Sequence, residues 1–157
     1  MMNPTNLALL IAELRFDEGV RYTPYNDTLG IRTVGVGHNL QVSPLPIGWS
    51  YPLTDDQVNQ LLTADLQNVF TRLGVRLPWW TSLDDVRQRI ICNMCFQLGV
   101  NGLMEFVNTL NFVEQGQYQQ ASAGMLVSAW AQQTPARAHR LATMMSTGVS
   151  TYPGEQS

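Results

Sequence analysis

The 157 residues carry nine Lys and Arg against twelve Asp and Glu, a formal charge of -3, and 45% of them are apolar. A chain of that length buries most of the surface its unfolded form exposes, which fits one globular domain. The basic residues are scattered rather than gathered into runs, which argues against a nucleic-acid binder. Two cysteines are too few for a disulfide scaffold.

Leu7 to Ile11 is too short for a membrane span, lacks a preceding basic run and is followed at once by Glu13 and Arg15, so no targeting segment is read there. Leu7, Ile11 and Leu14 recur at i, i+4 and i+7, which predicts a helix, and the next step of four lands on Glu18, just before Gly19 can end it. Apolar neighbours and the negative end of the helix dipole both disfavour a charged side chain at Glu18, as a general acid requires. Tyr25 to Gly30 is rich in turn formers, and Ile31 to Val36 alternates β-branched residues with Arg and Thr before two glycines. This predicts a hairpin with Asp27 ionised in its solvated turn. One neutral and one charged carboxyl make up the pairing of glycoside hydrolysis, and the Thr33 hydroxyl on the returning strand is placed to help hold a water.

Gln41 to Tyr51, with Pro44, Pro46 and Gly48, reads as irregular. Thr54 to Gln57 has the spacing of a capping box and opens a helix carrying Val58, Leu61, Leu62, Leu66, Val69 and Leu73 on one side. Asp65 interrupts that stripe, and a carboxylate in an apolar row needs a partner. Trp79 and Trp80 follow Pro78 in a short connector. Sugar stacking is one reading of them, and anchoring into a core is the commoner one. Ser82 to Asp85 is a second helix start. Cys92 and Cys95 lie in an apolar helical stretch far from both histidines, so they read as buried thiols rather than metal ligands. Breaks at Gly99 to Gly102, Gly116 and Thr134-Pro135 predict several short helices, with a frayed tail after Gly148.

Leu14-Arg15-Phe16-Asp17-Glu18-Gly19, Tyr25-Asn26-Asp27-Thr28-Leu29-Gly30 and Thr33-Val34-Gly35-Val36-Gly37-His38 together resemble the catalytic segment of the bacteriophage-type lysozymes, the muramidases of glycoside hydrolase family 24. Asn93-Met94-Cys95-Phe96-Gln97-Leu98-Gly99, Trp130 and Gln133-Thr134-Pro135-Ala136-Arg137-Ala138 resemble its larger lobe, so the likeness runs from about Asn6 to about Gly148. The resemblance implies a predominantly helical α+β, two-lobed fold forming one domain over 1–157. A small β-containing lobe would span about 18–55, a connecting helix about 55–73, and a helical lobe about 78–150 with the N-terminal helix packed on it.

The same resemblance implies a peptidoglycan muramidase acting between N-acetylmuramic acid and N-acetylglucosamine, with inversion. Glu18, Asp27 and Thr33 would be catalytic, with His38 and Asp65 a structural pair. Asn39, Phe96, Gln97, Thr109 and Arg137 would line the sugar groove, though each has a competing structural role. Arg137 would lie near the acid and oppose the effect of burial on Glu18, a balance the sequence leaves open. Gly124 stands where relatives offer a polar side chain. No metal or cofactor is implied. The partner is a peptidoglycan strand, and the protein is expected to be a monomer, without nucleic acid or membrane span, held in a host bacterial cytoplasm until a holin gives access to the wall. Two alternatives stand beside this: a non-catalytic wall-binding module of the same fold, and a transglycosylase or chitinase variant.

Overall fold

The computed structural model describes residues 2–155. In chain order the elements are α1 (Pro4–Glu18), β1 (Arg21–Asn26), β2 (Arg32–Gly35), β3 (His38–Asn39), α2 (Asp55–Arg76), a 3-10 turn (Pro78–Ser82), α3 (Asp85–Met104), α4 (Val107–Glu114), α5 (Tyr118–Leu126), α6 (Ala129–Gln133) and α7 (Pro135–Thr147). This is the predominantly helical α+β architecture expected. Two compact units are present, Leu7–Asn68 and Met1–Asn6 with Val69–Ser157, and α1 and α2 each supply residues to both.

In the unit Leu7–Asn68, α1 stops at Gly19, whose φ of +75° is unfavourable for residues with a Cβ and whose N–H closes on the Arg15 carbonyl at 3.0 Å. The three strands form an antiparallel sheet in the order β1-β2-β3. Tyr25 pairs with Thr33 and Asn26 with Arg32, while the register is irregular between Arg21 and Tyr25, where Pro24 has no N–H to offer the ladder. Thr33 then pairs with Asn39 and Val34 with His38. The sequence reading does not include β3, because two residues are too few to show a period. Thr54 and Gln57 form the expected capping box: the Gln57 N–H donates to Thr54 Oγ1 at 3.1 Å, and the Thr54 N–H to Gln57 Oε1 at 3.0 Å. Leu10, Leu14, Val34, Val36, Val58, Leu62 and Leu66 are buried here. The buried stripe of α1 therefore differs from the expected one: Leu10, Glu13 and Leu14 are covered, whereas Leu7, Ile11 and Glu18 are only half-buried.

In the second unit, α2 continues to Arg76 rather than ending at Leu73. Gly74 weakens a helix without stopping it, and the stop comes at Leu77, held out of helical geometry by the Pro78 that follows. Trp80 is buried and stacks on Phe70 with ring centroids 5.6 Å apart, and its indole N–H donates to the Gln88 carbonyl at 3.1 Å. Trp80 thus anchors a core rather than offering a face to sugar. Asp84 caps α3 by accepting the Arg87 N–H at 3.2 Å, and Gly99, at φ +74° and ψ +163°, breaks α3 internally. α5 packs on α4 and α7. The tail is not frayed as far as Tyr152, which is 2% exposed and whose hydroxyl accepts from Asn93 Nδ2 at 3.1 Å. Cys92 and Cys95 are buried free thiols. Burial pushes both up, Cys95 to about 11. No single helix among the described residues is long and apolar enough to cross a membrane.

Candidate active site

Glu18, Asp27 and Thr33 all belong to the unit Leu7–Asn68. Glu18 is the last residue of α1 and half-buried. Asp27 sits past the end of β1, where its N–H bonds the Ile31 carbonyl at 2.9 Å and the Gly30 N–H closes on the Asp27 carbonyl at 3.0 Å. Its Oδ1 accepts the backbone N–H groups of Leu29 and Ile31, both at 2.8 Å. The turn thereby fixes the carboxylate through one oxygen, and neither bond uses Oδ2. Thr33 is 4% exposed, and its hydroxyl donates to the Ile31 carbonyl at 2.8 Å. A hydroxyl whose proton is spent can only accept from a further partner. Asp27 and Thr33 are therefore both tied to the peptide groups of Ile31, one to its N–H and the other to its C=O.

The same unit holds two polar clusters. His38 is 2% exposed; its Nδ1 meets Asp65 Oδ2 at 2.8 Å and its Nε2 meets the Ser43 carbonyl at 2.7 Å. A carbonyl can only accept, so Nε2 carries a proton, and the Asp65 carboxylate raises the imidazole above its ordinary value. Asp65 has the partner that its place in an apolar row requires. Arg15, one turn before Glu18, forks to Asp55 Oδ1 at 2.8 Å and Asn59 Oδ1 at 2.9 Å, and the Tyr22 hydroxyl donates to the same Asp55 oxygen at 2.7 Å. The Tyr22 hydrogen bond, followed by Arg15, holds the Asp55 carboxyl below its usual range. The sequence reading missed this cluster, since nothing local joins its four members. It also missed Glu13, the carboxylate that α1 buries, at 1% exposed. Glu13 comes three residues after Leu10 and directly before Leu14, and that register was the available signal.

The residues assigned to the groove have structural bonds of their own. Asn39 Oδ1 accepts from the N–H groups of Gln41 at 2.9 Å and Val42 at 3.1 Å, an Asx turn. In the other unit, Gln97 Oε1 accepts the Trp130 indole N–H at 2.8 Å, and buried Arg137 donates from Nε to Asn93 Oδ1 at 2.9 Å. Phe96 is half-buried. Thr109 is buried, and a Cβ at position 124 would come within 2.5 Å of its Oγ1, so Gly124 leaves room for the Thr109 hydroxyl. Thr109 and Gly124 line a hollow of about 290 Å³ with Glu105, Phe106 and Asn108.

The Phage lysozyme family model matches residues 15–143. The chain belongs to the phage lysozyme family. It is 30% identical to probable T4-type lysozyme 1 of Dictyostelium discoideum, over 86% of this chain and 92% of that one. It is 29% identical to the pre-baseplate central spike protein Gp5 of Enterobacteria phage T4, over 86% of this chain but 27% of that protein. Against the endolysin of Salmonella phage P22 the identity is 32%, over 57% of this chain and 60% of the endolysin. Lysozyme activity, the hydrolysis of peptidoglycan glycan, comes with membership of the family. The match begins at Arg15 and takes in Glu18, Asp27, Thr33, His38 and Asp65.

Proposed function

We propose that the chain hydrolyses the β-1,4 bond between N-acetylmuramic acid and N-acetylglucosamine with inversion, in bacterial cell-wall lysis. The observation that carries this reading is the shared anchoring of Asp27 and Thr33 on Ile31. With its proton spent on the Ile31 carbonyl, Thr33 offers a lone pair, and Asp27 Oδ2 offers another. A water between them would donate both of its protons and keep its own lone pair for the anomeric carbon. Asp27 takes one proton as the water attacks. Glu18 gives a proton to the leaving glycosidic oxygen as that bond breaks, and exchange with solvent resets both carboxyls. A water placed between base and sugar requires carboxyls about 6.5–9.5 Å apart and inverts the anomeric centre. The reading also includes a monomer that waits in the host cytoplasm and reaches the wall with the help of a holin.

Mass spectrometry of muropeptides released from purified peptidoglycan tests it, together with proton NMR of the fresh product. Reducing muramic acid ends in the α configuration are expected. Anhydro ends would make the chain a transglycosylase, and β ends would overturn inversion. The match to a central spike protein supports a second reading of the setting, with this domain carried on a virion. Finding the chain in purified particles would decide for that.

A further inference from the structure

The helical unit carries a second hollow, of about 340 Å³, that the chemistry above does not use. Leu98, Phe106, Ala129 and Trp130 supply its apolar lining, and Glu105 and Gln133 its polar rim. Its other polar groups are already engaged. The Trp130 indole N–H donates to Gln97, and the Ser128 hydroxyl donates to the Met125 carbonyl while accepting the Ala131 N–H. Trp130 itself is fixed edge-on against Phe106, with centroids 6.0 Å apart. Glu105 is exposed, and among the described residues no hydrogen bond or ion pair reaches its carboxylate. Among the described residues it is the one formal charge on the lining, and it also borders the hollow beside Thr109.

An apolar lining with one unengaged carboxylate at its rim matches an aliphatic chain ending in an ammonium group. The methylenes cover the apolar lining while the charged head stays at the wet rim beside the carboxylate. An acidic group would meet repulsion there, since no Lys, Arg or His among the described residues lines the hollow. We propose that this hollow binds the side-chain amine of the diamino acid in the peptidoglycan stem peptide, making Glu105 a specificity residue for wall chemotype. The proposal rests on the peptidoglycan reading for its ligand.

The test is a titration of wild type and Glu105→Gln with a disaccharide tripeptide carrying a free side-chain amine, and with the same compound acetylated on that amine. An exposed charge pair predicts that wild type binds the free amine about two- to five-fold more tightly. The ratio should fall to about one in Glu105→Gln and shrink in molar salt. The Trp130 indole resonance should shift with the free-amine compound. A wild-type ratio of one, a ratio unchanged in Glu105→Gln, or resonance shifts that avoid Trp130 would overturn the proposal. Binding is read without turnover, so an absence of glycan cleavage would count against the proposed function and leave this ratio to be judged separately.

Discussion

The turn-held site residues of the unit Leu7–Asn68 and the buried polar network of the helical unit are held in opposite ways. In the hairpin unit Asp27 and Thr33, of the proposed chemistry, and Asn39, of the proposed groove, are fixed by the backbone next to them: Asp27 by an N–H four residues on, Thr33 by a carbonyl two residues back, and Asn39 by an N–H two residues on. In the helical unit the partners are distant in sequence: Gln97 and Trp130 are 33 residues apart, Asn93 and Arg137 44, and Asn93 and Tyr152 59. A group held by its own turn keeps its geometry when the side-chain chemistry is changed. A group held across the fold takes its neighbours with it. Substitutions of the turn-held site residues should therefore cost rate, and those in the long-range networks should cost stability.

Glu18→Gln should show the largest separation. Loss of a general acid lowers turnover by about 10²–10⁴-fold, and Glu18 ends its helix half-buried, so the melting temperature should hardly move. Near-normal release of muropeptides would end the assignment. Asn93→Ala should do the reverse. It strips buried bonds from Arg137 and Tyr152, at a cost of about 2–4 kcal/mol in urea unfolding. A loss under about 0.5 kcal/mol would show that long-range bonds do not hold this unit.

His38→Asn lies between these cases, because its partner Asp65 is 27 residues away yet in the same unit. Stability should fall by about 1–3 kcal/mol, more than the rate suffers. The sign with pH follows from the raised folded-state value of His38. The stabilisation is fully present below the unfolded value of about 6.5 and is lost as pH rises through the folded value. Melting temperatures of wild type and variant should thus converge on the alkaline side, and a gap that widens there would contradict the charged pair. Smallest of all should be Arg15→Met, whose ion-pair partner Asp55 is largely solvent-exposed. Exposed pairs contribute under about 1 kcal/mol, so a melting shift of many degrees would show that the fork to Asp55 and Asn59 matters more than its exposure suggests.

The same contrast explains what could be read in advance. The Thr54 capping box, the Gly19 helix stop and the Asp27 turn follow from neighbouring residues, and the structure forms all three. The His38 and Asp65 pair came from the family resemblance, because only the need of Asp65 for some partner is local. The buried stripe of α1 was displaced because an apolar count favours Leu7 and Ile11, whereas the fold covers Leu10 and accepts Glu13 beside Leu14. Tyr152 looked like part of a loose tail because its anchor, Asn93, is 59 residues away. The Arg15, Tyr22, Asp55 and Asn59 cluster escaped for the same reason.

Asp27→Asn tests the central claim most directly, since asparagine keeps the carbonyl oxygen that accepts from Leu29 and Ile31 and puts an uncharged NH2, which can neither accept from the water nor take its proton, in place of Oδ2. Muropeptide release and the melting temperature should be measured on the same preparation. The account predicts that release falls about 100-fold or more while the melting temperature stays within a few degrees of wild type. Release that persists near the wild-type rate, or that is lost only in step with the fold, would contradict it.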